Sequence, residues 1–215
     1  MFKARMEYEK TGVAAYISHL DLMQVLQRGF VRAGLPVKYS EGYNPHIYLS
    51  VLAPLSTGHE SVCELCDFDF TTDEIPEGVL EKLNAALPVG IKARVIGQAD
   101  RPVNQIANSG YRITLQTGDP EQMAGIFAGS VVIEKRSKRG IREVDLKDYI
   151  RSISFAKEGD KVVCDCVLAA GNDPLNPSYI VAALQEKGLY PAELGAAFLR
   201  TALLDQECKK FWEKA

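Results

Sequence analysis

Along "MFKARMEYEK" the hydrophobes Phe2, Ala4, Met6 and Tyr8 alternate with Lys3, Arg5, Glu7 and Glu9, the period of two that gives a strand with one buried face. After Gly12 the period changes: Leu22, Met23, Leu26, Phe30 and Ala33 recur at helical spacing. Ser18 with Asp21 three residues on forms a capping-box start, and Gly34 followed by Pro36 closes the helix. "IYLSVLAPLSTGHES" reads as a strand broken by Pro54 and Gly58, and "SVCELCDFDFTT" as a second, alternating strand. "DEIPEGVLEKLNAALPVG" is helical through Val79, Leu80, Leu83 and Leu87, and "IKARVIGQAD" closes the half as a strand.

The order strand, helix, strand, strand, helix, strand is that of a split βαβ, or ferredoxin-like, unit. "RPVNQIAN" lacks periodicity and reads as a linker, and a second round follows. "GYRITLQTG" is a strand, "DPEQMAGIFAG" a helix with Asp119 as N-cap and Pro120 at N1, and "SVVIEKRS" a strand. A turn at Glu158 to Asp160 leads into a strand through Val162 and Val167, and "NPSYIVAALQEKG" is a helix with Asn176 as N-cap. "FLRTALLD" fits either type, and the repeat favours a strand. The expectation is an α+β protein of two tandem ferredoxin-like (split βαβ) domains with antiparallel sheets, residues 1–100 and 109–215, joined by a linker at 101–108.

Composition narrows the function classes. With 215 residues, 47% hydrophobic and 25% charged, the chain is ordinary globular material for two cores. A net charge of −3 means that any nucleic-acid role rests on a local basic patch. No apolar run reaches the roughly 18 residues of a membrane span, and the N-terminus lacks a signal-peptide core. Five cysteines, an odd number, point to free thiols and a cytoplasmic setting.

Familiar chemistries find little footing. Cys63 and Cys66 form C-x-x-C, but inside a strand pattern, where residues three apart face opposite ways, so no metal site is expected. No P-loop, G-x-G-x-x-G, G-x-S-x-G elbow or C-x-x-x-C-x-x-C cluster motif occurs. The reading therefore leans away from an enzyme and includes no cofactor.

Three features remain as candidate sites. Asp21, Gln24, Arg28 and Arg32 form a polar stripe on the first helix; it is either a solvated face or, with His19 and Asp21 at the helix start, an anion-binding or acid/base site. "YSEGYNPHIYLS" sets a turn through Gly42, Asn44 and Pro45 and presents Tyr39, Tyr43, His46 and Tyr48, rings able to stack on bases. "EKRSKRGIREVDLKDYIR" packs Lys135, Arg136, Lys138, Arg139, Arg142, Lys147 and Arg151 into what reads as a mobile basic loop at a strand end. It could contact phosphates, or be balanced by Glu134, Glu143, Asp145 and Asp148.

"ISHLDLMQVLQRGFVRAGLPVKYSEGYNPHIYLSVLAPLSTGHES", with "LNAALPVGI" and "LRTALL", resembles the uncharacterised radical-SAM-linked protein family over essentially the whole chain. The matching positions are Ser18, His19, Asp21, Gly42, Tyr43, Asn44, Pro45, His46, Lys138, Gly140, Arg142 and Asp145. The turn departs from the pattern after His46, where a second proline or a basic residue is expected.

Members of that family are encoded beside, or fused to, a radical SAM protein with a cobalamin-binding-type domain. The resemblance implies a non-catalytic accessory or substrate-presenting partner of a radical SAM enzyme in tRNA or rRNA modification. Arg28, Arg32, Tyr43, Asn44, His46, Lys135, Lys138, Arg139 and Arg142 are the candidate RNA- or ligand-binding residues. Two rivals stand beside it. One is an RNA endonuclease like the CRISPR repeat-processing enzymes, with His19 or His46 and Tyr43 as its acid/base set, so that His19, Asp21 and His46 stand as the catalytic candidates; the other is a pure protein-interaction module.

Overall fold

The computed structural model describes residues 1–137 and 140–213. The fold is mixed α+β, with mostly antiparallel sheet and four α-helices among the described residues. The chain divides into two compact units, Met1–Ile106 together with the chain end from Lys209, and Ala107–Cys208. Most of 101–108 lies with the first unit, and so does the segment that follows Cys208.

The first unit contains β1 (Phe2–Lys10), α1 (His19–Arg32), β2 (Leu49–Leu52), β3 (Glu60–Phe70), α2 (Val79–Ala86) and β4 (Ile91–Gln98). β1 pairs antiparallel with both β4 and β3, and β2 pairs antiparallel with β3. Ser18 caps α1 as its sequence predicts, its Oγ accepting from the Asp21 amide at 3.1 Å. Leu22, Leu26 and Phe30 bury the helix's apolar face among Met6, Phe68 and Phe70. Phe30 meets Phe68 edge-on at 4.7 Å, and Phe68 meets Phe70 at 5.0 Å. On α2, the Asn84 amide both donates to the Ala93 carbonyl (2.9 Å) and accepts from the Ala93 N–H (2.8 Å), clamping that helix to β4.

β1 is not the half-buried strand that its alternation predicts. Ala4, Met6 and Tyr8 do enter the core, but Arg5 is 1% exposed on the other face. It faces its cross-strand partner Asp67 through two hydrogen bonds of 2.6 and 2.8 Å, donates to the Arg101 carbonyl at 2.8 Å, and lies 4.9 Å from the centre of the Phe211 ring. Phe211 and Trp212, whose Nε1 donates to the Gln98 carbonyl, are buried in the same unit. Alternation within β1 has no information about a cover arriving from the far end of the chain, so a charged residue on the nominal solvent face becomes a buried, paired one.

The second unit contains β5 (Asn108–Leu115), α3 (Pro120–Ile126), β6 (Val132–Ser137), β7 (Gly140–Asp145), β8 (Ile150–Glu158), β9 (Lys161–Ala169), α4 (Ser178–Glu186) and β10 (Ala196–Leu204). Antiparallel pairings give the order β10-β5-β9-β8, while β6 and β7 form a hairpin of their own. Asp119 caps α3, and "FLRTALLD" lies in a strand. Asn176 accepts from the Ser178 amide at 3.0 Å, one position ahead of the structural N-cap Pro177. The basic stretch, read from sequence as a mobile loop, is largely strand, because β6 and β7 pair with each other through six residue pairs from Val132↔Asp145 to Ser137↔Gly140.

Gly90 is the tightest glycine of the first unit. Its φ is +91°, the Thr11 amide donates to its carbonyl, and a Cβ there would stand 2.5 Å from the Thr11 carbonyl oxygen. Because the obstacle is backbone, Gly90→Ala is expected to cost at least ~1–3 kcal/mol, measured as a fall in the urea midpoint. Phe68→Ala, which empties the aromatic contact beneath α1, is expected to cost about 3–5 kcal/mol, read in the same experiment.

Candidate functional site

The outward side of α1 follows from its inward side. With Leu22, Leu26 and Phe30 in the core, the period of 3.6 turns Gln24, Arg28, Val31 and Arg32 outward, and all four are exposed. Against this face folds the segment from Lys38 to Tyr48. It is a narrow hairpin-like turn: Tyr39 bridges to Ile47, the Tyr48 amide donates to the Lys38 carbonyl (3.0 Å), and the Ser40 amide donates to the His46 carbonyl (2.7 Å). Gly42 adopts φ +122°, closed to most L-residues, at the bend. The Gln27 amide donates to the Ile47 carbonyl at 3.3 Å and ties the turn to the helix.

Helix and turn together enclose a groove of about 330 Å³, lined by Gln27, Arg28, Val31, Arg32, Tyr39, Pro45, His46 and Ile47. This is the low end of the size range of small-ligand sites, roughly 300–1,000 Å³. Its apolar walls are Val31, Tyr39, Pro45 and Ile47; its polar groups are two guanidiniums, an amide and an imidazole. The His46 Nδ1 lies 3.0 Å from Ser40 Oγ and 3.3 Å from the Asn44 carbonyl, and the His46 amide donates to Ser40 Oγ at 3.1 Å. A carbonyl can only accept, so these contacts favour the proton on Nδ1 and leave Nε2 to meet a ligand. Arg32 donates to the Ala86 carbonyl at the C-terminus of α2 (2.5 Å). Arg28 has no hydrogen-bond or ion-pair partner among the described residues.

The structure thus brings together Arg28, Arg32 and His46, which the sequence suggested separately. Tyr43 and Asn44 sit at the exposed tip of the turn without lining the groove. His19 and Asp21 do not line it either; the Asp21 carboxylate accepts from Ser18 Oγ at 2.7 Å and serves the helix start. Tyr39, one of the stacking rings expected in the turn, does line the groove, whereas Gln27 is singled out by no sequence pattern, because nothing local shows that it faces the turn.

Within the basic stretch, Lys135 and Arg142 prove to be paired. Lys135 and Arg142 are direct cross-strand partners in the β6–β7 hairpin, a placement that sets like charges side by side. Asp173, from the loop after β9, takes both: Lys135 Nζ donates to Oδ1 (2.5 Å), and Arg142 and Tyr149 Oη (2.6 Å) donate to Oδ2. Arg142 also donates to Tyr149 Oη at 2.8 Å, and Lys135 Nζ lies 4.3 Å from the centre of the Tyr149 ring. Lys135 is 4% exposed, so it is no open phosphate contact as it stands.

The hydrogen bond from Lys135, then that from Tyr149, with Arg142 adding to them, holds the Asp173 carboxyl well below the usual carboxylate range. Asp145 is structural, accepting from Ser130 Oγ (2.6 Å) and from the Val131 and Lys147 amides. Lys138 and Arg139 lie outside the described residues. The counter-ion Asp173 went unrecognised in the sequence because it follows Lys135 by 38 residues.

Cys63 and Cys66 are both buried in β3, and burial pushes the Cys66 thiol far up, away from a thiolate ligand. Among the described residues no three His, Cys, Asp or Glu side chains cluster to hold a metal, and no helix is long and apolar enough to cross a membrane.

A family model described as "Uncharacterized protein conserved in bacteria (DUF2344)" matches residues 3–177. No curated protein matches the chain. Among solved structures, "Crystal Structure of a Cbf5-Nop10-Gar1 Complex" is similar at 13% identity and a TM-score of 0.49, covering 93% of this chain and 48% of that chain. The chain spans about half the length of that relative.

The Asp173 network fixes an acid dependence. A carboxyl whose folded pKa is depressed contributes stability above its unfolded pKa of about 3.9 and loses it as pH falls through the folded value. The stability difference between the wild type and Asp173→Asn should therefore be constant above about pH 5 and shrink below about pH 4, measured by urea denaturation across that range.

Proposed function

Since the chain belongs to the DUF2344 family of uncharacterized proteins conserved in bacteria, we propose that it is a non-catalytic accessory that binds RNA and presents it to a partner radical SAM enzyme. The observation that carries the RNA reading is the groove in which Arg28, Arg32 and His46 stand beside the Tyr39 ring. Two neighbouring guanidiniums suit a phosphate, and an aromatic wall with a narrow apolar slot suits a base turned out of its stack. Tyr43, fully exposed at the tip of the turn, offers a second stacking surface. The partner rests on the resemblance of the helix start and of the "GYNPH" turn to radical-SAM-linked proteins.

We read the architecture as two tandem ferredoxin-like units. Supporting this, strands of the first unit follow the order β4-β1-β3-β2, those of the second the equivalent β10-β5-β9-β8, and β6–β7 is an insertion after α3. Each unit also carries a bidentate Arg–Asp pair between directly opposed positions of its first and third sheet strands, Arg5 with Asp67 and Arg112 with Asp165.

His46 is tied through Nδ1 and stands beside arginines. Among the described residues no carboxylate and no second histidine lines the groove with it, which favours recognition over RNA cleavage.

Fluorescence anisotropy with a labelled tRNA is the direct test. Arg28→Ala should weaken binding about 5- to 50-fold and flatten the slope of log affinity against log salt by about 1. Arg28 is the cleaner probe because Arg32 also caps α2. Co-purification with the radical SAM partner should persist in this variant. Unaltered RNA affinity in Arg28→Ala would remove the groove from the site, and RNA cleavage by the isolated chain, lost in His46→Ala, would replace the accessory reading with the nuclease.

A further inference from the structure

The second unit holds an arrangement that the groove does not use. Lys135 and Arg142 are fixed opposite one another by the hairpin register, with the Tyr149 hydroxyl beside them, and all three donate to the carboxylate of Asp173. Two cations and a hydroxyl aimed at one point are a donor set for a tetrahedral anion as much as for a carboxylate. We propose that Lys135, Arg142 and Tyr149 form a phosphate-binding site that Asp173 closes by occupying it as an intramolecular stand-in ligand.

Three features separate this from an ordinary surface ion pair. First, the donors are pre-positioned independently of Asp173. Lys135 and Arg142 sit on paired strands, and Lys135 Nζ lies against the Tyr149 ring at 4.3 Å. Second, the acceptor comes from elsewhere and can depart. Asp173 lies in the loop between β9 and α4, after Gly171 at φ +76° and before Pro174, and belongs to neither element. Third, its side chain is 51% exposed, so an incoming anion can reach the shared donors as the carboxylate swings out to water, whereas Lys135 has no such exit.

Removing Asp173 without a replacement would leave Lys135 and Arg142 in like-charge opposition, so the site favours exchange of one anion for another over simple opening. The closed form lowers apparent affinity by the fraction of molecules in which Asp173 is displaced.

The source of the phosphate rests on the RNA reading above; the site itself does not. The test therefore uses two probes, inorganic phosphate and a short single-stranded oligoribonucleotide, at constant ionic strength, with Asp173→Ala and the milder Asp173→Asn. Far-UV circular dichroism and amide spectra establish that each variant is folded. The expected result is that at least one folded variant binds inorganic phosphate about tenfold or more tightly than the wild type, with amide shifts at Lys135, Arg142 and Tyr149. In the wild type, phosphate should move the amides of Gly171 and Asn172 together with those of the hairpin.

Equal phosphate affinity in folded variants and wild type would overturn the proposal and leave Asp173 as a structural tether. If both variants misfold, the wild-type titration decides alone: coupled shifts of loop and hairpin support the site, and their absence overturns it. A gain for the oligoribonucleotide as well as for phosphate assigns the site to an RNA backbone; a gain for phosphate alone assigns it to a free phosphate or small phosphorylated molecule. Loss of groove binding in Arg28→Ala with the Asp173 gain intact separates the two sites.

Discussion

The first unit's candidate site depends on how α1 is seated on its sheet. Phe30 packs edge-on against Phe68, and Phe68 against Phe70, a chain of rings that admits one rotation of the helix about its axis. Once Leu22, Leu26 and Phe30 are committed to the core, the helical period dictates which side chains face out, and Arg28 and Arg32 are four residues apart on that side. A helix rotated by even one position would withdraw a guanidinium from the groove and expose a core residue. The cost of exposing a Leu or Phe, about 1.5–3 kcal/mol each, is what keeps the cations in place.

The turn completes the site because it is rigid for its own reasons. Gly42 supplies the bend, Ser40 is bonded three times to His46, and Gln27 fastens Ile47 to the helix. His46 is therefore held by backbone and hydroxyl contacts that persist whether or not a ligand is present, and a ligand would meet an imidazole already oriented.

Charge is distributed by the same economy. The chain is acidic overall, at −3, yet four of its basic residues are committed to carboxylates: Arg5 to Asp67, Arg112 to Asp165, and both Lys135 and Arg142 to Asp173. Burial separates their meaning. Arg5 is enclosed and its pairing holds the fold, while Arg112 and Asp165 are exposed and screened, a pairing worth little. Asp173 lies between these extremes, exposed itself but neutralising a buried lysine. A count of basic residues in "EKRSKRGIREVDLKDYIR" therefore overstates the charge that a polyanion would meet.

What the sequence determined by itself is local: most of the strands and helices, the Ser18 cap, the Asp119 cap, the turn through Gly42 and Pro45, and the exposed stripe on α1. These follow from periodicity and from residues that bond to neighbours a few positions away. The tertiary structure alone decided that Phe211 meets Arg5 on the supposed solvent face of β1, that a basic stretch folds as a hairpin, and that Asp173 answers Lys135. It also decided that His46 shares a groove with Arg28 and Arg32 while His19 does not line it. Each of these is a contact between residues distant in sequence, fixed by burial and charge pairing that become favourable only when the elements pack, and no pattern within a single element encodes it.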